Sequence, residues 1–166
     1  IRQPTMLQFM VGSLVGGFNE DGTAELYSVD PAGAIQKVKD RFGDGIRKVF
    51  DREVVVPSLP FPQVSMKEAK KLLSEMNIPG DKERDLSSEE ERKIGEYIKE
   101  KFDHEFVFVT EYPVSIRPFY HMRDEKDSTI TKSYDLLWNG LEVTTGAQRE
   151  HRYDVLLKQA KEKGMK

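Results

Sequence analysis

The chain of 166 residues contains no cysteine. Disulfides and thiolate metal sites are therefore excluded, and the composition suits a reducing compartment. Histidine is scarce, with three residues and no HExxH pair, which argues against a zinc centre. No apolar run approaches the ~20 residues that a membrane span requires. The first residues, Ile1-Arg2-Gln3-Pro4, lack both the apolar core of a signal peptide and an initiator methionine. There is no GxxxxGK[ST] loop, so any nucleotide is held by something other than a P-loop. A large excess of one charge is missing too: 26 basic and 29 acidic residues give a net charge of −3. Nonspecific nucleic-acid binders usually show a basic surface or a pI above about 9. There is no internal repeat and no low-complexity tract. What remains is enough chain for one ordinary domain with its own core.

The pattern of that chain is mixed. Residues 6–30 read as β structure: Leu7, Phe9 and Val11 alternate, Asn19-Glu20-Asp21-Gly22 marks a turn, and Ala24 to Val29 returns as a strand. Asp30-Pro31-Ala32-Gly33 reads as a second turn, with proline fixing φ. From Ala34 to Phe50 the period changes, and Ile35, Val38, Phe42, Ile46 and Val49 predict an amphipathic helix. Gly43 and Gly45 weaken it by about 1 kcal/mol each against alanine. Pro57, Pro60 and Pro62 mark an extended connector. Ser65 with Glu68 forms a capping box before an apolar face of Met66, Ala69, Leu72, Leu73 and Met76. Ser87 or Ser88 opens another helix, with Ile94, Ile98 and Phe102 as its buried side. Phe106 to Val109 reads as a buried strand, and a last helix places Tyr153, Leu156, Leu157 and Ala160 on one face. The fold class expected is mixed α and β (α+β). Strands at 105–112, 133–139 and 141–146 form an antiparallel sheet, and helices near 34–50, 66–76, 89–102 and 151–163 cover it.

The segment Ser133–Arg149, SYDLLWNGLEVTTGAQR, concentrates the chemistry. Asn139-Gly140 predicts a two-residue hairpin turn, which needs positive φ at both positions. Asp135, Leu137 and Asn139 share one face of the first strand; Glu142 and Thr144 share one face of the second, with Thr145 on the other. Asp135 and Glu142 suit magnesium, which takes oxygen ligands and shares one or two carboxylates with substrate phosphates. The plain alternative is two solvated strand carboxylates. Arg149 offers a guanidinium fork that matches a carboxylate bidentately. Its plain alternative is a surface ion pair with Glu150 or Asp154, worth at most about 1 kcal/mol. For Thr145 the plain reading is strand propensity. Arg117 and Tyr120 read as a packed edge, His121 and His151 as surface or packing residues, and Trp138 as core or interface.

Arg117-Pro118-Phe119-Tyr120-His121-Met122 resembles the RPFYxM segment of class II aspartyl-tRNA synthetases of the archaeal type. Gly146-Ala147-Gln148-Arg149, continuing through Glu150-His151-Arg152-Tyr153-Asp154, resembles that family's GxQRxHRYD segment. The similarity runs from about Arg47 to Lys166, with the words in the right order. The resemblance implies an ATP- and magnesium-dependent aspartate–tRNA ligase of the cytoplasm. Its partners would be L-aspartate and tRNA(Asp), with tRNA(Asn) left open. It assigns Arg149 to the side-chain carboxylate of the substrate, a contact that rejects asparagine. Asp135 and Glu142 would hold magnesium and the ATP phosphates. Thr145, where the family commonly has serine, would lie near the substrate ammonium and the metal's waters.

The departures set further expectations. None of the three class II motifs is recognisable, including the one that makes the family homodimeric, and the anticodon-binding barrel is also missing. The isolated chain is therefore expected not to be a competent ligase. Residues 36–166 read as a partial synthetase core, and 1–35 as a hairpin of different origin. VGGFNEDGTAELYSVDPAGA within it is similar to a hairpin of proteasome-type subunits. Two alternatives stay open: a chimeric or truncated assembly module without catalysis, and a proteasome-type subunit fragment.

Overall fold

The structure, a computed structural model, describes residues 13–18, 24–29, 31–78, 80 and 84–165, with backbone alone before residue 35. The chain divides into two compact units, Ile1–Phe61 and Pro62–Lys166. In the first, β1 (Ser13–Phe18) and β2 (Ala24–Val29) pair antiparallel, from Ser13↔Val29 to Phe18↔Ala24. The expected turn at 19–22 and the alternation at Leu7, Phe9 and Val11 lie outside the described residues. Helix α1 (Pro31–Phe50) begins inside the segment expected to turn. Proline is preorganised for a first helical position, where its missing N–H costs nothing. Val38, Phe42 and Val49 are exposed, so the apolar stripe that the spacing predicts is not buried along its length.

The second unit holds a four-stranded sheet of β3 (Gln63–Ser65), β4 (Phe106–Thr110), β5 (Ser133–Trp138) and β6 (Leu141–Ala147), in that spatial order. β4, β5 and β6 are antiparallel neighbours, as expected. β3 runs parallel to β4, pairing Gln63↔Phe108, so the sheet is mixed rather than antiparallel throughout. The prolines that suggest a connector end just before this short edge strand, a position sheets tolerate.

Two capping boxes start the helices beneath the sheet. Ser65 and Glu68 cap α2 (Met66–Glu75), and Ser87 and Glu90 cap α3 (Ser88–Phe102). Met66, Ala69 and Leu73 of α2 and Ile94 and Ile98 of α3 pack against Val107, Val109, Tyr112 and Leu137. The Lys70 ammonium meets the Glu90 carboxylate at 2.8 Å where both are largely buried, tying α2 to α3. Burial opposes the Glu90 charge, yet hydrogen bonds from Lys70 and Ser87 hold its carboxyl below the usual range. Phe102, expected inside, is exposed at the end of α3. On the opposite sheet face, Phe106 stacks on Trp138 at 5.9 Å and Phe108 meets the edge of Tyr134 at 5.4 Å. Trp138 is half exposed and donates to Glu105.

Helix α4 (Tyr153–Glu162) turns a different face inward from the one its apolar residues suggest. Tyr153 and Leu157 are exposed, while Gln159 is buried and donates to the carbonyls of Phe119 and His121. Backbone carbonyls of the preceding loop need donors, and a glutamine supplies them where leucine cannot. No helix among the described residues is long and apolar enough to cross a membrane.

The Asn139-Gly140 turn forms as predicted, with φ of 50° and 75°. It rests on α3 without clearance: a Cβ on Gly95 would stand 2.5 Å from the Gly140 nitrogen, and one on Gly140 would stand 2.4 Å from the Arg92 Cα. This contact decides where β6 lies relative to the start of α3. Replacing Gly95 by alanine raises helix propensity by about 1 kcal/mol. The collision is with backbone, which cannot rotate aside, and overpacking costs about 1–3 kcal/mol. Gly95→Ala is therefore expected to destabilise the chain on balance. Urea unfolding of the two proteins measures it, and a higher midpoint for the variant would contradict the close contact.

Candidate functional site

The hairpin β5–β6 carries one irregularity that organises the site. Asp135 pairs with Thr145 and Leu136 with Thr144, but Leu137 pairs with Glu142. Val143 is thus an extra residue, a bulge in β6. Directly opposed residues share a face, so Asp135, Leu137, Glu142 and Thr145 all lie on the side that carries the core. Strict alternation puts Thr145 opposite to Glu142; the bulge reverses that. The Thr145 hydroxyl donates to the Tyr134 carbonyl at 3.4 Å.

Asp135 is 3% exposed and does not stand open to solvent. Its Oδ2 receives a hydrogen bond from Arg117 Nη2 at 2.5 Å. The same guanidinium lies 3.6 Å above the Tyr112 ring and 3.8 Å from Oδ2 of Asp85. Arg117 is therefore part of the site, not the packed edge expected from the sequence. Its position in the RPFYHM word was the available signal. Asp135 Oδ1 is buried and makes no well-formed hydrogen bond. Burial, followed by the Asp135 charge, pushes the neighbouring Tyr112 hydroxyl well above its ordinary value.

Further carboxylates gather here. Because the hairpin leans on α3, Glu91 comes close to Glu142. Burial and then the charges of Glu142, Asp135 and Asp85 push Glu91 up to about 7. Burial and then Asp135 raise Glu142 as well. Nothing in the sequence spacing brings Asp85 and Glu91 to this point; the helix–turn contact does. Among the described residues, no three histidine, aspartate or glutamate side chains are arranged to hold a metal ion. Asp135 Oδ1, which Arg117 leaves unpaired, and the Glu142 carboxylate on the same face are the oxygens that a magnesium keeping its waters would draw on.

A second cluster adjoins the first. His121 and Arg149 form an antiparallel bridge. The flanking bonds, Met122 N–H to Gln148 O and Glu150 N–H to Tyr120 O, are each 2.9 Å. That pattern makes His121 and Arg149 a non-hydrogen-bonded pair, whose side chains stand closest together. The Arg149 guanidinium lies over the Tyr120 ring at 4.5 Å. The plain reading, an ion pair with Glu150 or Asp154, is not what forms. Glu150 is instead gripped by Arg152, Nε to Oε1 and Nη2 to Oε2 at 2.8 Å each. Those hydrogen bonds hold the Glu150 carboxyl down to about 2. Arg149 has no ion-pair partner among the described residues. His121 is buried, the packing one of its two expected readings, and its Nδ1 has no hydrogen-bond partner. Burial first, then the charges of Arg149 and Arg117, lower it to about 4, so it is neutral at pH 7.

These environments predict opposite mutational outcomes on one sheet face. Asp135→Ala takes the close partner from the largely buried Arg117 guanidinium and leaves it only Asp85 at 3.8 Å, a loss of about 1–3 kcal/mol. The folded pKa of Glu142 lies above its unfolded one, so its charged form opposes folding, increasingly as pH rises past the ordinary value. Glu142→Gln should leave stability at pH 7 unchanged or slightly raised. Chemical denaturation of both variants tests this; equal losses would contradict the contrast.

Residues 24–166 match the family described as tRNA synthetases class II (D, K and N). The chain is 44% identical over 118 residues to an aspartate–tRNA(Asp/Asn) ligase of Methanopyrus kandleri, a match covering 71% of this chain and 26% of that relative. The solved aspartyl-tRNA synthetase from Entamoeba histolytica superposes with a TM-score of 0.71 at 28% identity, over 92% of this chain and 37% of that one. An asparaginyl-tRNA synthetase from the same organism gives 0.72 at 26% identity, over 81% and 31%. The chain thus spans about a quarter of the Methanopyrus relative's length. Sequence words, mixed sheet and matched residues agree, and the chain belongs to the class II tRNA synthetases of the D, K and N group.

Proposed function

We propose that this chain carries the amino-acid-reading part, and some of the magnesium–ATP part, of an aspartate–tRNA ligase site. The observation that carries the reading is Arg149. Its guanidinium is fixed over Tyr120 and lacks an ion-pair partner among the described residues. A ligand carboxylate is the natural occupant of such a fork. In the parent reaction, aspartate attacks the ATP α-phosphate to give an adenylate and pyrophosphate, and the tRNA terminal hydroxyl then takes the aspartyl group. Arg149 holds the side-chain carboxylate of the substrate. Asp135 and Glu142, with Thr145 beside them, would hold magnesium, which when bound would neutralise charge at the phosphates. Thr145 orients the substrate ammonium. The partners are L-aspartate, ATP and tRNA(Asp). The dual Asp/Asn name of the Methanopyrus relative supports tRNA(Asn) as a second acceptor. The cytoplasm is the place of action that the family reading implies.

Binding and turnover are expected to separate. The motifs that carry the family's ATP-phosphate arginines are not recognisable in the sequence, and the chain is expected to lack those arginines. Removing even one preorganised donor elsewhere slows catalysis by ~10²–10³. Calorimetric titration with a non-hydrolysable aspartyl-adenylate analogue plus magnesium should show saturable binding, weakened at least 30-fold in Arg149→Ala. Equal affinity in the variant would remove Arg149 from the site. Aspartate-dependent exchange of pyrophosphate into ATP should stay at background; exchange above it would show that the chain is a competent ligase after all.

A further inference from the structure

The geometry points to His121 as a specificity-determining contact, a ring N–H that donates to the substrate side-chain carboxylate alongside Arg149. This rests on the reading of Arg149 given above and goes beyond it. The backbone first dictates proximity. A non-hydrogen-bonded antiparallel pair brings its two side chains closer than any other sheet position. The side chains bear this out: the Tyr120 ring that carries the Arg149 guanidinium also meets the imidazole, and the Arg149 charge acts on that imidazole. The ring is also held in place. Its backbone N–H donates to Pro118 O at 3.2 Å, and its carbonyl accepts from Gln159 Nε2 at 3.3 Å. The Tyr120 ring meets it edge to face at 5.2 Å. Yet Nδ1 is buried without a hydrogen-bond partner, an arrangement that costs free energy unless a ligand completes it.

The missing partner is defined by charge. The groups whose charges act on the ring are Arg149, Arg117 and Asp135. A third cation beside two guanidinia is disfavoured, so the ring offers one N–H donor and no charge of its own. Arg149 and His121 then present two donors side by side. A carboxylate answers both with its two oxygens. A carboxamide has one acceptor oxygen and must turn its own NH2 toward the other donor. The pair thus rejects asparagine by leaving a donor unanswered, a stronger penalty than the loss of one attraction.

Calorimetry on the full chain with aspartyl- and asparaginyl-adenylate analogues tests this in the native sequence, His121→Ala, His121→Asn and Arg149→Ala. His121→Ala should weaken the aspartyl analogue about tenfold and the asparaginyl analogue clearly less, since charge-assisted hydrogen bonds are the stronger ones. His121→Asn, which restores an N–H donor, should recover most of the loss. A merely structural histidine would weaken both analogues alike and would not be rescued. With 15N-histidine labelling, one ring nitrogen should shift on adding the aspartyl analogue, and that signal should be missing in His121→Asn. If Arg149→Ala loses binding while His121→Ala binds both analogues as the native chain does, the inference is overturned and the Arg149 reading stands. If the native chain binds neither analogue, or Arg149→Ala is indifferent, that reading falls and takes the inference with it.

Discussion

The ion pair between Arg117 and Asp135 is the contact on which the rest of the second unit's site depends. It joins the loop that follows β4 to the middle of the sheet, and it does so at a residue almost wholly withdrawn from water. A guanidinium can accept this position because its flat face rests on the Tyr112 ring while its edge serves two carboxylates, Asp135 and Asp85. Lysine could not do both. With that loop anchored, the RPFYHM segment runs beside the strand leaving β6, and the bridge between His121 and Arg149 follows. The anchoring is thus structural and chemical at once. It orients the chain that bears Arg149, and it sets the Arg117 charge against Asp135.

That leaves an imbalance. Asp85, Glu91, Asp135 and Glu142 gather near Arg117, and the upward shifts of Glu91 and Glu142 express burial first and then their mutual repulsion. Beyond it, Arg149 faces a neutral imidazole and an aromatic ring, an excess of positive charge. The site is therefore polarised along the sheet face, acidic beside the α3 start and basic beside the loop. A ligand that carries a cation at one end and a carboxylate at the other is complementary to that field in one orientation and repelled at both ends in the reverse one. The aspartyl-adenylate with magnesium proposed above would have that character.

Much of this arrangement is legible in the sequence, for local reasons. Capping boxes at Ser65 and Ser87 act within four residues, and Asn139-Gly140 answers a φ requirement at its own positions. Leu137, Val107 and Ile94 declare themselves by period. What escapes is non-local or depends on one residue of register. The strand β3 is three residues long and owes its existence to pairing with Phe108–Thr110. Val143 looks like any strand valine, yet as a bulge it moves Thr145 to the face of Asp135. Gln159 replaces the expected tyrosine inside because carbonyls of a distant loop need donors there. His121 reads only as a surface or packing residue until the bridge to Arg149 is known. Asp85 and Glu91 are members of a charged run, and nothing local distinguishes them from their neighbours.

The bulge also bears on the strand's other edge. Among the described residues β6 is the last strand of its sheet, and Leu141 and Val143 on it are exposed. An edge of this kind presents unpaired N–H and C=O groups and invites another strand. Bulges raise local twist and discourage such pairing, so Val143 protects the edge while it sets the faces of Glu142 and Thr145. Those two roles constrain each other. A strand added beyond β6 in straight register would have to flatten the bulge, and flattening it would return Thr145 to the face opposite Glu142. The strand that brings the acidic side chains together thus also carries the feature that discourages a neighbour at its edge. Any partner that covers this edge must accept the bulge if the site is to keep its oxygen atoms on one side.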